Sequence, residues 1–316
     1  MAEVPTGGGN STMSTTASDN AYIIDHSSGA EMARQINFQA LITRKMGGLL
    51  PAHLNPANLH NALDVACGPG AWVTDVAFAW QHIEVVGIDL SQPMIDYARA
   101  LTQVRRLDNA SFQIMDATRP LAFPDASFDL VNARLLLFFM PPNGWLPLIK
   151  ELIRVCKPGG TIYIVEVDEE SATTSSAMEE FNHLIVRALQ KRGSTETVIV
   201  APQLAGWMRE AGGCDIVETE YCLDYPYESS YWAEGYSNVR AFYGLVQPFL
   251  RSTGVAKRED LERLYPLILR EMYLPEFRAS WRFRSVRGQR PVRLFPLQTP
   301  FTHLSSNQLG SDVLIS

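Results

Sequence analysis

Between Ala62 and Val167 short apolar runs alternate with segments of helical pattern, and this alternation limits the fold more than any other feature. The runs are "ALDVAC", "IEVVGID", "SFQIMDA", "SFDLVNA" and "TIYIVEVD". Each is too short for a core helix, and most are rich in β-branched residues, so they read as strands. Between them lie "AWVTDVAFAW", "SQPMIDYARALTQV" and "WLPLIKELIRV", which carry helical periodicity. In the second of these Ser91 is placed to cap and Pro93 falls in the first turn. Lys157-Pro158-Gly159-Gly160 is expected to end the third. Parallel strands need crossovers, usually helices, that cover both faces of the sheet. The chain is therefore expected to be α/β, with a doubly wound parallel sheet.

The flanks extend this reading. Residues 30–46 form a helical segment with Met32, Ile36, Phe38, Leu41 and Ile42 as its apolar positions, stopped by Gly47-Gly48. After the fifth strand, Met178, Phe181, Leu184, Ile185, Ala188 and Leu189 fit one helical face, and "APQLAGWMREAGG" reads as a short helix. "CDIVETEY" is a sixth strand. In "FRASWRFRSV" Phe277, Ala279, Trp281 and Phe283 alternate with Arg278, Ser280, Arg282 and Arg284, which marks a seventh strand at or next to the sheet edge. Residues 223–275, between these two strands, hold two aromatic-rich helical patterns and read as a helical roof over the substrate site. Pro266 is expected to kink the second pattern. Residues 1–20, rich in Gly, Ser and Thr, read as a disordered tail, 21–290 as the folded domain, and 291–316 as an irregular tail.

Bulk properties exclude several partners. The 316 residues are 46% hydrophobic, enough for a large core, and the formal net charge is -7. An acidic chain is a poor partner for nucleic acid. The cluster of Arg278, Arg282, Arg284, Arg287, Arg290 and Arg293 reads mainly as a solvated strand face. No apolar run approaches the roughly 18 residues of a membrane span, and the N-terminus has no secretory pattern. The four cysteines have neither metal nor redox spacing, so no metal is expected and a cytoplasmic location with reduced thiols is.

"DVACGPGAW" follows the first strand. Gly68 and Gly70 supply two glycines of a dinucleotide turn, but Val73 stands where the third would be. Three carboxylates give the turn meaning: Asp64 in the first strand, Asp89 at the end of the second, and Asp116 at the end of the third. Any one alone reads equally well as a strand-end cap. Asp89 can accept from ribose hydroxyls and Asp116 from an adenine amino group. Asp64 suits a cationic ligand better than a pyrophosphate. S-adenosylmethionine combines a ribose, an adenine, an ammonium and a sulfonium, with no phosphate.

"LDVACGPGAW", "VVGIDLSQPMIDYARA", "IMDATRPLAFPDASFDLVNAR" and "ELIRVCKPGGTIYIVE" together resemble the class I S-adenosylmethionine-dependent methyltransferases. The resemblance implies a Rossmann-like, seven-stranded sheet of order 3-2-1-4-5-7-6, with strand 7 antiparallel and a helical lid. It implies that Asp64, Cys67, Gly68 and Gly70 line the methionine part of the cofactor, and that Asp89 holds the ribose with Leu90 and Met94 beside the adenine. Asp116 and Ala117 would contact the adenine, and Asn132 and Ala133 would place backbone near the sulfonium. Tyr22, His26 and Arg44 are candidates for a closing lid. Arg44 can pair with the cofactor carboxylate or be a solvated helix residue.

The reaction expected is in-line transfer to a small or medium apolar metabolite, such as a natural product of secondary metabolism. Oxygen is the favoured acceptor and nitrogen the next, with orientation and desolvation as the main contributions. His26 and Glu166 are candidate bases or substrate anchors; His183 is a further histidine of either role. The fourth strand ends Asn132-Ala133-Arg134, without the Asn/Asp-Pro-Pro-aromatic turn of enzymes that methylate nucleic-acid amino groups. The alternative is a protein of the same fold that binds the cofactor for another purpose, as a cyclase, a pericyclase or a regulatory module. The chain is expected to act as a monomer or homodimer.

Overall fold

The computed structural model describes residues 22–25, 27–168, 172–193 and 199–292. His26, residues 1–20 and most of 291–316 lie outside the described residues. Five parallel strands form the centre of the sheet: β1 (Asn61–Val65), β2 (Glu84–Asp89), β3 (Ala110–Ile114), β4 (Phe128–Arg134) and β5 (Cys156–Val167). Two long strands, β7 (Cys214–Asp224) and β8 (Ala279–Gln289), complete it. β8 runs antiparallel to β5 and to β7. The short β6 (Ala172–Thr173) pairs with the start of β8. β7 and β5 both pair with the stretch 283–289 of β8, so they flank it on opposite edges. The path is β3-β2-β1-β4-β5-β8-β7, the arrangement that the resemblance implies, with β7 and β8 as its sixth and seventh strands.

Nine helices are assigned among the described residues: α1 (Gly29–Lys45), α2 (Ala71–Ala79), α3 (Gln92–Arg105), α4 (Trp145–Val155), α5 (Ser176–Gly193), α6 (Ala201–Glu210), α7 (Trp232–Leu245), α8 (Gln247–Ser252) and α9 (Arg258–Glu271). None of the described helices is long and apolar enough to cross a membrane. Strand side chains alternate between two cores. Leu63, Val65, Val131, Ala133, Ile162 and Ile164 pack with α4 and α6. Ala62, Leu130, Tyr163 and Val165 pack on the side of α1, α2 and α3, with α5 and α7 to α9 beyond. This alternation is the period-two consequence of a sheet covered on both faces. Ser91 caps α3, its hydroxyl accepting from the Met94 N–H at 3.4 Å.

One local expectation changes. Lys157-Pro158-Gly159-Gly160 does end α4, but it lies inside β5 as an irregularity. Phe128 pairs with Cys156, and the register then shifts so that Leu130 pairs with Thr161. Gly159 has φ +78° and donates to the Arg290 carbonyl at 2.8 Å. A Cβ on Gly160 would lie 2.8 Å from Cys156 Sγ and 2.9 Å from the Asp129 carbonyl. The glycines therefore let the strand bulge and keep pairing. In the aromatic region the helix is interrupted at Val246, ahead of Pro248 in the first turn of α8, whereas α9 runs from Arg258 to Glu271 through Pro266. Pro248 lacks the N–H that would continue the preceding ladder.

Arg284 in β8 and Arg290 just after it engage the chain's own acceptors. Arg284 lies within 2.7 Å of Asp168, 2.8 Å of Glu218 and 2.9 Å of Glu220. Arg290 donates to the Arg154 and Cys156 carbonyls.

Candidate active site

The turn after β1 places its backbone at the carboxyl ends of the parallel strands, where α/β sheets open a crevice at the reversal of strand order. Gly68 (φ +53°) and Gly70 (φ +78°) both adopt the left-handed region. A Cβ on Gly70 would stand 2.7 Å from the Phe112 ring and 2.8 Å from Ala98 Cβ, so only glycine lets the turn settle onto β3 and α3. Asp89 organises the same crevice. One carboxylate oxygen accepts from the Gly68 N–H and the other from the Ser91 N–H, both at 2.9 Å. Two loops are thus tied to one carboxylate at the cavity wall.

Deeper in the crevice, Asp64 and Arg134 form a polar relay through Asn132. Asn132 Nδ2 donates to Asp64 Oδ1 at 2.7 Å, and Arg134 Nε donates to Asn132 Oδ1 at 3.2 Å. Asp64 and Arg134 are each 5% exposed. Burial pushes the Asp64 carboxyl up to about 7, partly opposed by the Asn132 hydrogen bond and the charge of Arg134. Burial also lowers the Arg134 pKa, against the pull of Asp64. Arg134 further donates to Thr43 Oγ1 at 3.1 Å and the Leu49 carbonyl at 3.0 Å, and lies over the rings of Trp72 and Tyr163. Among the described residues no carboxylate forms a direct ion pair with it. An amide between a buried anion and a buried cation leaves two separated charges, complementary to a zwitterion.

Of these groups Arg134 lines a cavity of about 480 Å³, within the range of small-molecule sites. On the strand-end side its lining includes Cys67, Gly68, Asp89, Leu90, Met94, Asp116 and Ala117. Asp116 turns back on its own loop, accepting from the Thr118 N–H at 2.8 Å and pairing with Arg119 at 3.2 Å. The opposite side comes from α1 and the loop after β4, with Arg34, Gln35, Phe38, Gln39, Leu135, Phe138 and Phe139. Tyr22 lies at that end, donating to Glu31 Oε1 at 2.9 Å, and burial raises its phenol well above the ordinary range. Arg34 donates to both Glu31 oxygens at 2.7 Å and to Asn238 on α7 at 3.0 Å.

Of the positions singled out in the sequence, Tyr22, Cys67, Gly68, Asp89, Leu90, Met94, Asp116 and Ala117 line this one cavity. Asp64, Gly70, Asn132 and Ala133 stand behind it, in the turn and at the strand ends. Arg44 is elsewhere: its side chain, 52% exposed, pairs with Glu234 at 2.7 Å and lies over Tyr231. Glu166 is also outside the lining. It is fully buried, accepts from the Leu136 N–H, and has its carboxyl pushed up to about 8 by burial. It clamps the loop that carries Leu135, Phe138 and Phe139. No residue of 223–275 is in the lining; Asn238 and Phe242 touch the cavity's α1 wall from behind.

The sequence reading passed over Arg34, Gln35, Gln39, Phe138, Phe139 and Arg134. A signal existed for the first three. Glu31, Arg34, Gln35, Phe38 and Gln39 follow helical spacing, and this polar stripe lies on the inward side of α1.

The residues fit a ligand with an amino-acid end, a ribose and an adenine. The Asp64–Asn132–Arg134 relay supplies separated opposite charges, Gly68 leaves room where a side chain would stand, and Asp89 and Asp116 lie at successive strand ends. Comparison with known proteins agrees. Residues 62–160 match the family described as a methyltransferase domain. The chain is 26% identical over 209 residues to a trans-aconitate 2-methyltransferase of Methylobacterium radiotolerans, covering 65% of this chain and 71% of that protein. It is 28% identical over 208 residues to the N-methyltransferase sirN of Leptosphaeria maculans, covering 64% and 69%. A Haemonchus contortus phosphoethanolamine N-methyltransferase 2 bound to S-adenosylhomocysteine has the same fold, with a TM-score of 0.51 and 16% identity over 84% of this chain and 58% of that one.

Proposed function

We propose that this chain, a class I S-adenosylmethionine-dependent methyltransferase by fold and family, methylates a small or medium apolar metabolite. The observation that carries this reading is one continuous cavity with carboxylates at the strand ends and aromatic walls opposite. S-adenosylmethionine, when bound, supplies an electrophilic methyl carbon on a good leaving group.

The chain's residues do the rest. Asp64, behind the lining, would balance the cofactor's ammonium and Arg134 would take its carboxylate; Asp89 would take the ribose hydroxyls, and Asp116, Ala117, Leu90 and Met94 would hold the adenine. Phe38, Phe138 and Phe139 exclude water from the acceptor, which strengthens every polar contact inside. Among the described residues the lining contains no histidine, and Glu31, on the α1 side, is held by Tyr22, Arg34 and Gln35. The described residues therefore serve orientation and desolvation more than proton removal. His26 is retained as the candidate base for an oxygen acceptor, the favoured case. Nitrogen is the second choice, supported by the name of one relative. The unpaired state of all four cysteines supports a cytoplasmic location.

The lack of a histidine in the lining among the described residues also supports a second reading, a cofactor-binding cyclase, pericyclase or regulatory module. Incubation with methyl-labelled cofactor and a metabolite extract separates the two. A labelled small molecule supports transfer. Cofactor bound without labelled product refutes it, and label in protein or RNA refutes the substrate class.

A further inference from the structure

The α1 end of the cavity has a chemistry of its own. Three phenylalanines border it. Phe38 is held edge-on by Trp281 at 5.3 Å and by Phe283 at 6.0 Å, and Phe138 lies against Phe242 at 5.6 Å. Rings packed in this way keep their orientation and form a fixed apolar wall.

The charges at this end cancel internally. Glu31 accepts from Arg34 Nε and Nη2 at 2.7 Å each, from Tyr22 at 2.9 Å and from Gln35 Nε2 at 2.9 Å. The third guanidinium nitrogen donates to Asn238. A charged substrate would find no free counter-charge in this group. One polar atom breaks the pattern. Gln39 lines the cavity, and its carbonyl oxygen is buried without a hydrogen-bond partner among the described residues. A buried acceptor left unmet costs its full desolvation, so such atoms in native proteins call for an explanation. Gln39 lies one turn beyond Gln35 on the inward side of α1, next to Phe38. Among the described residues its carbonyl is a fully buried acceptor in this end that the protein does not itself use.

We propose that this end of the cavity binds a neutral, planar aromatic acceptor whose N–H or O–H donates to the Gln39 carbonyl. The inference rests on the methyl-transfer reading above and narrows its substrate class. The aromatic wall selects a flat, apolar body, the neutralised Glu31–Arg34 pair selects against charge, and Gln39 sets the orientation of the molecule through its donor. Gln39 is a binding and orienting group and moves no proton.

The test uses the full chain with S-adenosylhomocysteine present and four probes: indole, N-methylindole, indole carboxylate and cyclohexanol. Binding is followed by equilibrium dialysis for the wild type and Gln39→Met. The wild type should hold indole about tenfold tighter than N-methylindole, the scale of one buried hydrogen bond. Cyclohexanol and indole carboxylate should bind more weakly than indole. In Gln39→Met, which keeps the side-chain length and removes the amide, indole and N-methylindole should come within about twofold of each other. Replacing an unmet polar group by an apolar one is nearly neutral or stabilising, so the variant should melt no lower than the wild type and keep its S-adenosylhomocysteine affinity. The proposal is overturned if the indole preference survives in Gln39→Met, if the anionic or aliphatic probe binds as tightly as indole, or if no probe binds the loaded protein. Failure of the wild type to bind S-adenosylhomocysteine overturns the methyl-transfer reading instead.

Discussion

Replacing Arg134 by Met tests how the cavity holds the amino-acid end of its cofactor. The guanidinium is buried, reaches Asp64 through Asn132, and forms no direct ion pair with a carboxylate among the described residues. A carboxylate arriving there gains a charge-assisted hydrogen bond in a desolvated site, worth about 1.5–3 kcal/mol. At about 1.4 kcal/mol per factor of ten, Arg134→Met should weaken S-adenosylhomocysteine roughly 10- to 150-fold. Methylthioadenosine has the same nucleoside without the amino-acid end, so its affinity should stay within about twofold. Isothermal calorimetry of both ligands reads the difference. Arg134→Lys keeps the charge but loses the fork, and should fall between the wild type and Met. The variant should still fold, because the Leu49 carbonyl keeps the Trp72 indole N–H at 2.9 Å. If the two ligands weaken together, or neither weakens, Arg134 does not hold the carboxylate.

Asp89→Ala should weaken S-adenosylhomocysteine and methylthioadenosine alike, by about 1.5–3 kcal/mol. It should also lower the melting temperature, since the Gly68 and Ser91 N–H groups lose their acceptor; unchanged affinity in calorimetry would refute the ribose assignment. Arg44→Ala removes an exposed pair with Glu234, so cofactor affinity should not change and stability should shift by no more than about 1 kcal/mol. A tenfold loss of cofactor affinity there would restore Arg44 to the site. Glu166 has its carboxyl raised from 4.5 to about 8 by burial, so between these values the folded protein holds a proton that the unfolded chain releases. That contribution to stability is fully present below the unfolded pKa and is lost as pH rises through about 8. Glu166→Gln cannot ionise and should melt with a flatter pH dependence across this window. Parallel melting curves for the two proteins would show that another group is responsible.

Much of the frame was legible in the chain. Strand and helix periodicity, the Ser91 cap and the inward face of β8 are local properties, set by side-chain direction along one element. The end of each parallel strand could be located from the same pattern. The pattern therefore puts Asp89 and Asp116 at the crevice, and Gly68 and Gly70 mark the turn that follows β1. Tertiary structure decided which charges meet. Arg44 and Arg134 are both arginines near apolar segments, and nothing local separates them. A contact across 190 residues makes Arg44 an exposed partner of Glu234, whereas Arg134 bonds to Thr43 across 91 residues and to Asn132, which reaches Asp64 across 68. The polar stripe of α1 could be read as a helix face, but its burial follows from α7 packing over it, with Arg34 reaching Asn238 across 204 residues. Glycines 159 and 160 read as a helix stop; in the fold they lie at the register shift between β4 and β5 and bond to Arg290, just after β8. Local sequence determines the element and the direction of each side chain. Only the packed structure removes water, and the loss of water turns Asp64, Arg134 and Gln39 from ordinary polar residues into groups that call for a ligand.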